Sequence, residues 1–192
     1  MKPIFLSIFY GMLFFTLLLF SSCGPRVQTA PMSSDSVLVP YQEFSNTTLR
    51  YYDGPVIRWK LKTEYMKKNL DDTARALVAP VDLFMYDSSG NLACRVFADS
   101  GLTNAKMDNL EVWGDVEVKR SDGLIILSEQ LIWHRERKKV TSNAFVEIRH
   151  TTGDILRGKG LDATETFSSF NFHSNVTGKF PQFRKRVEAD EF

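Results

Sequence analysis

The chain has 192 residues, with 24 Lys and Arg against 23 Asp and Glu. That balance leaves no basic surplus for nucleic acid, and two cysteines are too few for a disulfide-stapled scaffold. Beyond the N-terminal run about 150 residues remain, enough for one domain with its own core.

Lys2 is the only charge before Arg26, and the stretch from Ile4 to Phe20 is predominantly apolar. A positive start, an apolar core and small residues before a cut describe a secretory signal. A membrane-spanning helix needs about 20 such residues, so an uncleaved anchor is the alternative. Ser21-Ser22-Cys23 resembles the bacterial lipobox, whose cysteine is acylated and becomes the new N-terminus. Phe20 departs from that pattern, which usually carries Leu or another aliphatic there. Cys23 is the candidate lipidation site, and residues 1–22 are the signal peptide or anchor. Either way the remainder lies outside the cytoplasm, tethered to a membrane. Residues 23–44 are rich in Pro and Ser and lack periodicity, so they read as a flexible tether.

Residues 45–180 carry a strand pattern. Ile57, Trp59 and Leu61 alternate with Arg58, Lys60 and Lys62, which gives one dry face and one wet face. Leu110, Val112, Val116 and Val118 share a parity opposite to Glu111, Glu117 and Lys119. Val140, Val146 and Ile148 repeat the arrangement, and Phe170, Phe172 and Val176 do so near the end. Asp53-Gly54, Asp87 to Gly90, Ser121 to Gly123 and Thr151 to Gly153 are hairpin signals, because Gly accepts the positive φ such loops require. Tyr65 to Ala76 is the one helix candidate, with poor apolar spacing. Residues 181–192, with Phe183-Arg184-Lys185-Arg186 and an acidic end, read as a polar tail.

A shift of thirty residues lays Val116-Glu117-Val118-Lys119 on Val146-Glu147-Ile148-Arg149, and Gly123 on Gly153. A unit this short cannot close its own core, so successive units must stack. The expected fold is all-β: one open jellyroll of stacked antiparallel strands.

Chemistry is sparse. His134, His150 and His173 lie in separate segments with no ligand partner at metal spacing, and no nucleophile elbow or phosphate loop occurs. No catalytic, metal or cofactor site is expected, and the chain does not read as an enzyme. Cys94 sits in a strand-like run and reads as a small buried apolar residue. Trp59, Leu61, Val116, Val118, Val146, Ile148 and Phe172 occupy the dry parity. They line either a filled core or a groove for acyl chains, and periodicity does not separate the two. The terminal strand leaves an unpaired edge. Asn171 and His173 are the candidate partner positions on it.

Gly114-Asp115-Val116-Glu117-Val118, the turn ending in Gly123, and Leu127 to Trp133 resemble the repeat of the OstA-like periplasmic lipopolysaccharide-transport proteins. Val140-Thr141-Ser142, Val146-Glu147-Ile148 and Gly158-Lys159-Gly160-Leu161 continue it. One tether, one such domain and a short tail are similar to the membrane-tethered LptC branch. The resemblance implies a jellyroll open along one side. It implies a non-enzymatic carrier that accepts lipopolysaccharide from the membrane subunits of an inner-membrane ABC transporter. The lipid would pass along the groove to a soluble periplasmic jellyroll bridge protein, docked edge to edge. The alternative is an exported lipoprotein β-domain that serves only as a protein-interaction module.

Overall fold

The computed structural model describes residues 40–71, 74–104 and 106–181. The elements are β1 (Tyr41–Asp53), β2 (Val56–Asn69), β3 (Ala76–Ala79), β4 (Val81–Tyr86), β5 (Leu92–Ala98), β6 (Ser100–Thr103), β7 (Asn109–Arg120), β8 (Ile125–His134), β9 (Lys139–Arg149), β10 (Ile155–Thr164) and β11 (Phe170–Lys179). All belong to one antiparallel sheet. The described residues contain no helix.

The connectivity is a meander. β3 and β4 flank Pro80 and together pair with β2; β5 and β6 flank Asp99 and pair back on β4 and β3. Proline has no N–H to give a ladder, which breaks the strand at Pro80. The four hairpins with glycine signals turn where the sequence predicts: Gly54, Gly90, Gly123 and Gly153 all have positive φ.

The sheet folds over on itself along a crease. Register shifts fall mid-strand, between Trp113 and Val116 in β7 and between Ser128 and Ile132 in β8. Gly114 shows why the crease needs glycine. Its φ is 78°, and an added Cβ would lie 2.6 Å from Asp99 Oδ2. The Asp99 N–H also donates to the Gly114 carbonyl at 3.0 Å, tying β7 to the break between β5 and β6. Folding over brings distant strands together. Trp59 on β2 meets Trp133 on β8 edge-to-face, with ring centroids 6.3 Å apart, although these strands are not neighbours in the sheet.

The thirty-residue repeat is one hairpin unit. β7 and β9 show the same alternation of buried and exposed positions from Asn109 to Lys119 and from Lys139 to Arg149. The fold is thus the expected all-β jellyroll, with two long strands in each repeat.

Two expectations change. The helix candidate Tyr65 to Ala76 is instead strand: Tyr65 to Asn69 complete β2 and Ala76 opens β3. Met66 explains why, since it is buried and stands between Phe44 on β1 and Val78 on β3, so pairing on both sides overrides local propensity. Residues 41–44, expected in the tether, are the first four of β1. Cys23 and the tail from residue 182 onward lie outside the described residues.

Candidate functional site

The interior between the two halves of the sheet is the first candidate. Trp59, Leu61, Val116, Val118, Val146 and Ile148 all face it and are at most 5% exposed. Phe172 faces it from the edge strand and is only partly buried, packed against the others. The interior is filled. An apolar void beside Leu83, Leu131 and Phe167 holds about 20 Å³, room for about one water.

The second feature is the mouth opposite the crease, where the hairpin ends of one half meet those of the other. The β10–β11 turn closes part of it. Phe167 has a φ of 54° and is fully buried, with its ring bordering the interior void. Arg120, at the end of β7, donates from Nη1 to the Phe167 carbonyl at 2.5 Å. Cys94 lies beneath this turn, with Sγ 4.0 Å from the Glu165 carbonyl. Burial pushes the Cys94 thiol up to about 12, so it is inert at neutral pH while the turn is seated. Further along, Arg135 sits over Tyr51 at 5.3 Å, and Tyr51 stacks on Trp59 at 5.7 Å. A cleft of about 290 Å³ opens there between Arg58, Tyr86, Arg135 and Glu165. The indole Nε1 atoms of Trp59 and Trp133 are buried without a hydrogen-bond partner among the described residues.

The sheet edges are the third feature. β1 pairs only with β2 and β11 only with β10, so both outer sides are unpaired among the described residues. Asn171 and His173 are exposed on β11, and His173 Nε2 lies 2.9 Å from Asp162 Oδ2. Their backbone donors point inward, toward β10. The Thr164 N–H donates to the Ser169 carbonyl, which makes the Ala163–Phe170 pair non-hydrogen-bonded. Opposed pairs alternate along an antiparallel ladder. The N–H groups of Asn171 and His173 therefore face β10, and those of Phe170, Phe172 and Ser174 face the free edge. Outward side chains mark the sheet's outer face and do not report the direction of the backbone donors.

β11 is seated by shape. A Cβ on Gly158 would come within 2.5 Å of the Phe172 ring, so the ring lies on bare backbone. The histidines do not converge: His134 bonds Asn109 and Thr141, His150 bonds Thr152, and His173 bonds Asp162. Among the described residues no cluster of His, Cys, Asp and Glu is arranged to hold a metal.

A folded-over antiparallel meander with an apolar interior and two open edges narrows the comparison. The profile described as lipopolysaccharide-assembly, LptC-related matches residues 6–180. The chain belongs to this family. No curated protein matches it by sequence. Membership makes the chain a component of periplasmic lipopolysaccharide transport, a transport and assembly role in a family not known for enzymes. Among the described residues no helix is long and apolar enough to cross a membrane.

Proposed function

We propose that this LptC-family domain is a non-enzymatic carrier. It accepts lipopolysaccharide from the membrane subunits of an inner-membrane ABC transporter and hands it to a soluble periplasmic bridge protein of the same fold, a step in outer-membrane biogenesis. The observation that carries this reading is one apolar interior running between the halves of a single sheet whose two edge strands are unpaired. Each buried CH₂ contributes about 0.8 kcal/mol, so an acyl chain of about ten carbons costs roughly 8 kcal/mol to leave in water. A Val-, Leu- and Ile-lined interior offsets that cost without covalent chemistry. β-strand addition at an open edge supplies the contact with the bridge protein. Acylated Cys23 holds the domain at the periplasmic face of the inner membrane.

Benzophenone side chains at Trp59 and Phe172, aromatic for aromatic, test the path. Both are expected to capture lipopolysaccharide, and one at Glu64, exposed on the outer face of β2 away from the mouth, is not. Equal capture from all three sites argues against an internal path. One observation favours a second reading, in which the domain only docks proteins: the interior is filled. That reading expects no capture at Trp59 or Phe172 while partner binding persists.

A further inference from the structure

The strand register builds a row on the outer face of the lip. Arg50 stands opposite Lys60, Lys60 opposite Phe84, Phe84 opposite Arg95, and Arg95 opposite Lys119. The row continues through Ile125 to Arg149, then through Ile155 to Lys179. It crosses nine strands and holds six cations, three apolar residues and no acid, in a chain whose formal net charge is +1. The flanking positions Trp59, Leu61, Met85, Val96, Val118 and Ile148 are buried, so the row faces outward. It runs beside the hairpins at Asp53–Val56, Asp87–Asn91, Ser121–Leu124 and His150–Asp154, on the half of the sheet that closes against the β10–β11 turn.

Like charges directly opposite each other destabilise a sheet, and this row contains two such pairs, Arg50 with Lys60 and Arg95 with Lys119. Acids of the next row relieve part of the repulsion: Asp82 pairs with Arg95, Glu117 with Lys119 and Glu147 with Arg149. The cations nonetheless stay open, with Arg95, Lys119 and Arg149 side chains 48%, 57% and 52% exposed. Lys60 and Arg95 both sit over the Phe84 ring, at 4.2 and 5.1 Å. Arg50, Lys60 and Lys179 make no ion pair among the described residues.

We infer that this row is a track for the anionic headgroup of the amphiphile whose acyl chains enter the interior, binding its phosphate or carboxylate oxygens at the lip. The inference rests on the carrier reading. An amphiphile with its chains between the sheet halves keeps its polar end outside the mouth, beside these strand ends. Strand spacing makes the row about 38 Å long. Neighbouring strands rotate by about 20–25°, so the row turns through roughly 160–200° from end to end. A flat membrane meets only a few of these cations at once. A small headgroup stepping from one to the next uses them all.

The test places the full chain in phosphatidylcholine vesicles containing one of two photoreactive lipids with identical acyl chains, a phosphatidic acid or a diacylglycerol. Each carries its diazirine in the acyl chain. At low salt the phosphatidic acid is expected to be captured about tenfold better, the scale of one or two charge-assisted contacts. Raising the salt should shrink that excess. The variant with Arg50→Gln, Lys60→Gln, Arg149→Gln and Lys179→Gln should bring the two lipids near parity without changing diacylglycerol capture. Equal capture of both lipids by the natural chain overturns the headgroup track and leaves the carrier reading standing. A variant that loses both lipids equally while its circular dichroism is unchanged also overturns the track. So does inorganic hexametaphosphate that binds the natural chain but not the variant and leaves phosphatidic acid capture intact. Capture of neither lipid by a folded chain overturns the carrier reading itself.

Discussion

Arg120 reaches across the mouth of the folded sheet to the Phe167 carbonyl and so fastens the β10–β11 turn over Cys94. The two residues are 47 apart in sequence, and the bond joins opposite halves of the fold. Lipid entering from this side must break it. Cys94 then becomes a natural reporter, because its burial ends when the turn lifts.

With the turn seated, Cys94 should react very slowly with N-ethylmaleimide at neutral pH, because its thiol is pushed up to about 12 by burial. With the turn lifted, its reactivity should rise along the profile of an ordinary thiol, titrating near about 8.5. Arg120→Ala and added lipopolysaccharide are both expected to speed labelling. Peptide mapping separates Cys94 from Cys23. Unchanged Cys94 labelling with lipopolysaccharide bound would place the entry point away from this turn.

Phe167→Ala removes a fully buried ring and should cost about 3–5 kcal/mol. Alanine keeps the backbone strain and glycine relieves it, because any non-glycine residue at a φ of 54° is itself unfavourable. Phe167→Gly should therefore be no worse than Phe167→Ala, contrary to the usual order of the two. Urea denaturation of both variants measures this directly.

Gly158 makes a similar steric prediction at the edge. Valine there would drive a Cβ into the Phe172 ring, so β11 must shift or the ring must leave the interior. The expected cost is about 1–3 kcal/mol. Hydrogen exchange should quicken across Phe170–Lys179 while β7 and β8 stay protected. Uniform loss of protection would show instead that β11 is integral to the core.

Much of this was legible in the sequence. The alternation at Trp59, Leu61, Val116, Val118, Val146 and Ile148 gave the inner face directly, because burial on one side of a strand has period two. The Asp-Gly and Thr-Thr-Gly turns gave the hairpins. The end of β2 was not legible, because Lys67-Lys68-Asn69 has no apolar alternation and is held as strand by neighbours far away in sequence. Phe167 was hidden among Thr and Ser, with no periodic partner to mark it as core. The cation row was also invisible, since Arg50, Lys60, Arg95 and Lys119 align only once the register is known.

The direction of the edge donors gives the last prediction. Proline at a residue whose N–H faces solvent is tolerated on an edge strand, whereas proline facing a neighbour removes a ladder bond. On β11 the alternation places the Ser174 N–H on the free side and the Asn171 N–H toward Asp162. Ser174 is exposed, so its replacement removes no buried side chain. Ser174→Pro should therefore leave the unfolding midpoint nearly unchanged and weaken docking of a jellyroll partner. Asn171→Pro should lower the midpoint by breaking the β10–β11 ladder. Partner binding measured by calorimetry beside thermal unfolding distinguishes the two effects. If Ser174→Pro folds normally and binds its partner undiminished, the junction lies at the other open edge, β1. There the matching substitution belongs on Glu43, because the Leu70 N–H donates to the Pro40 carbonyl and the same alternation turns the Glu43 donor outward.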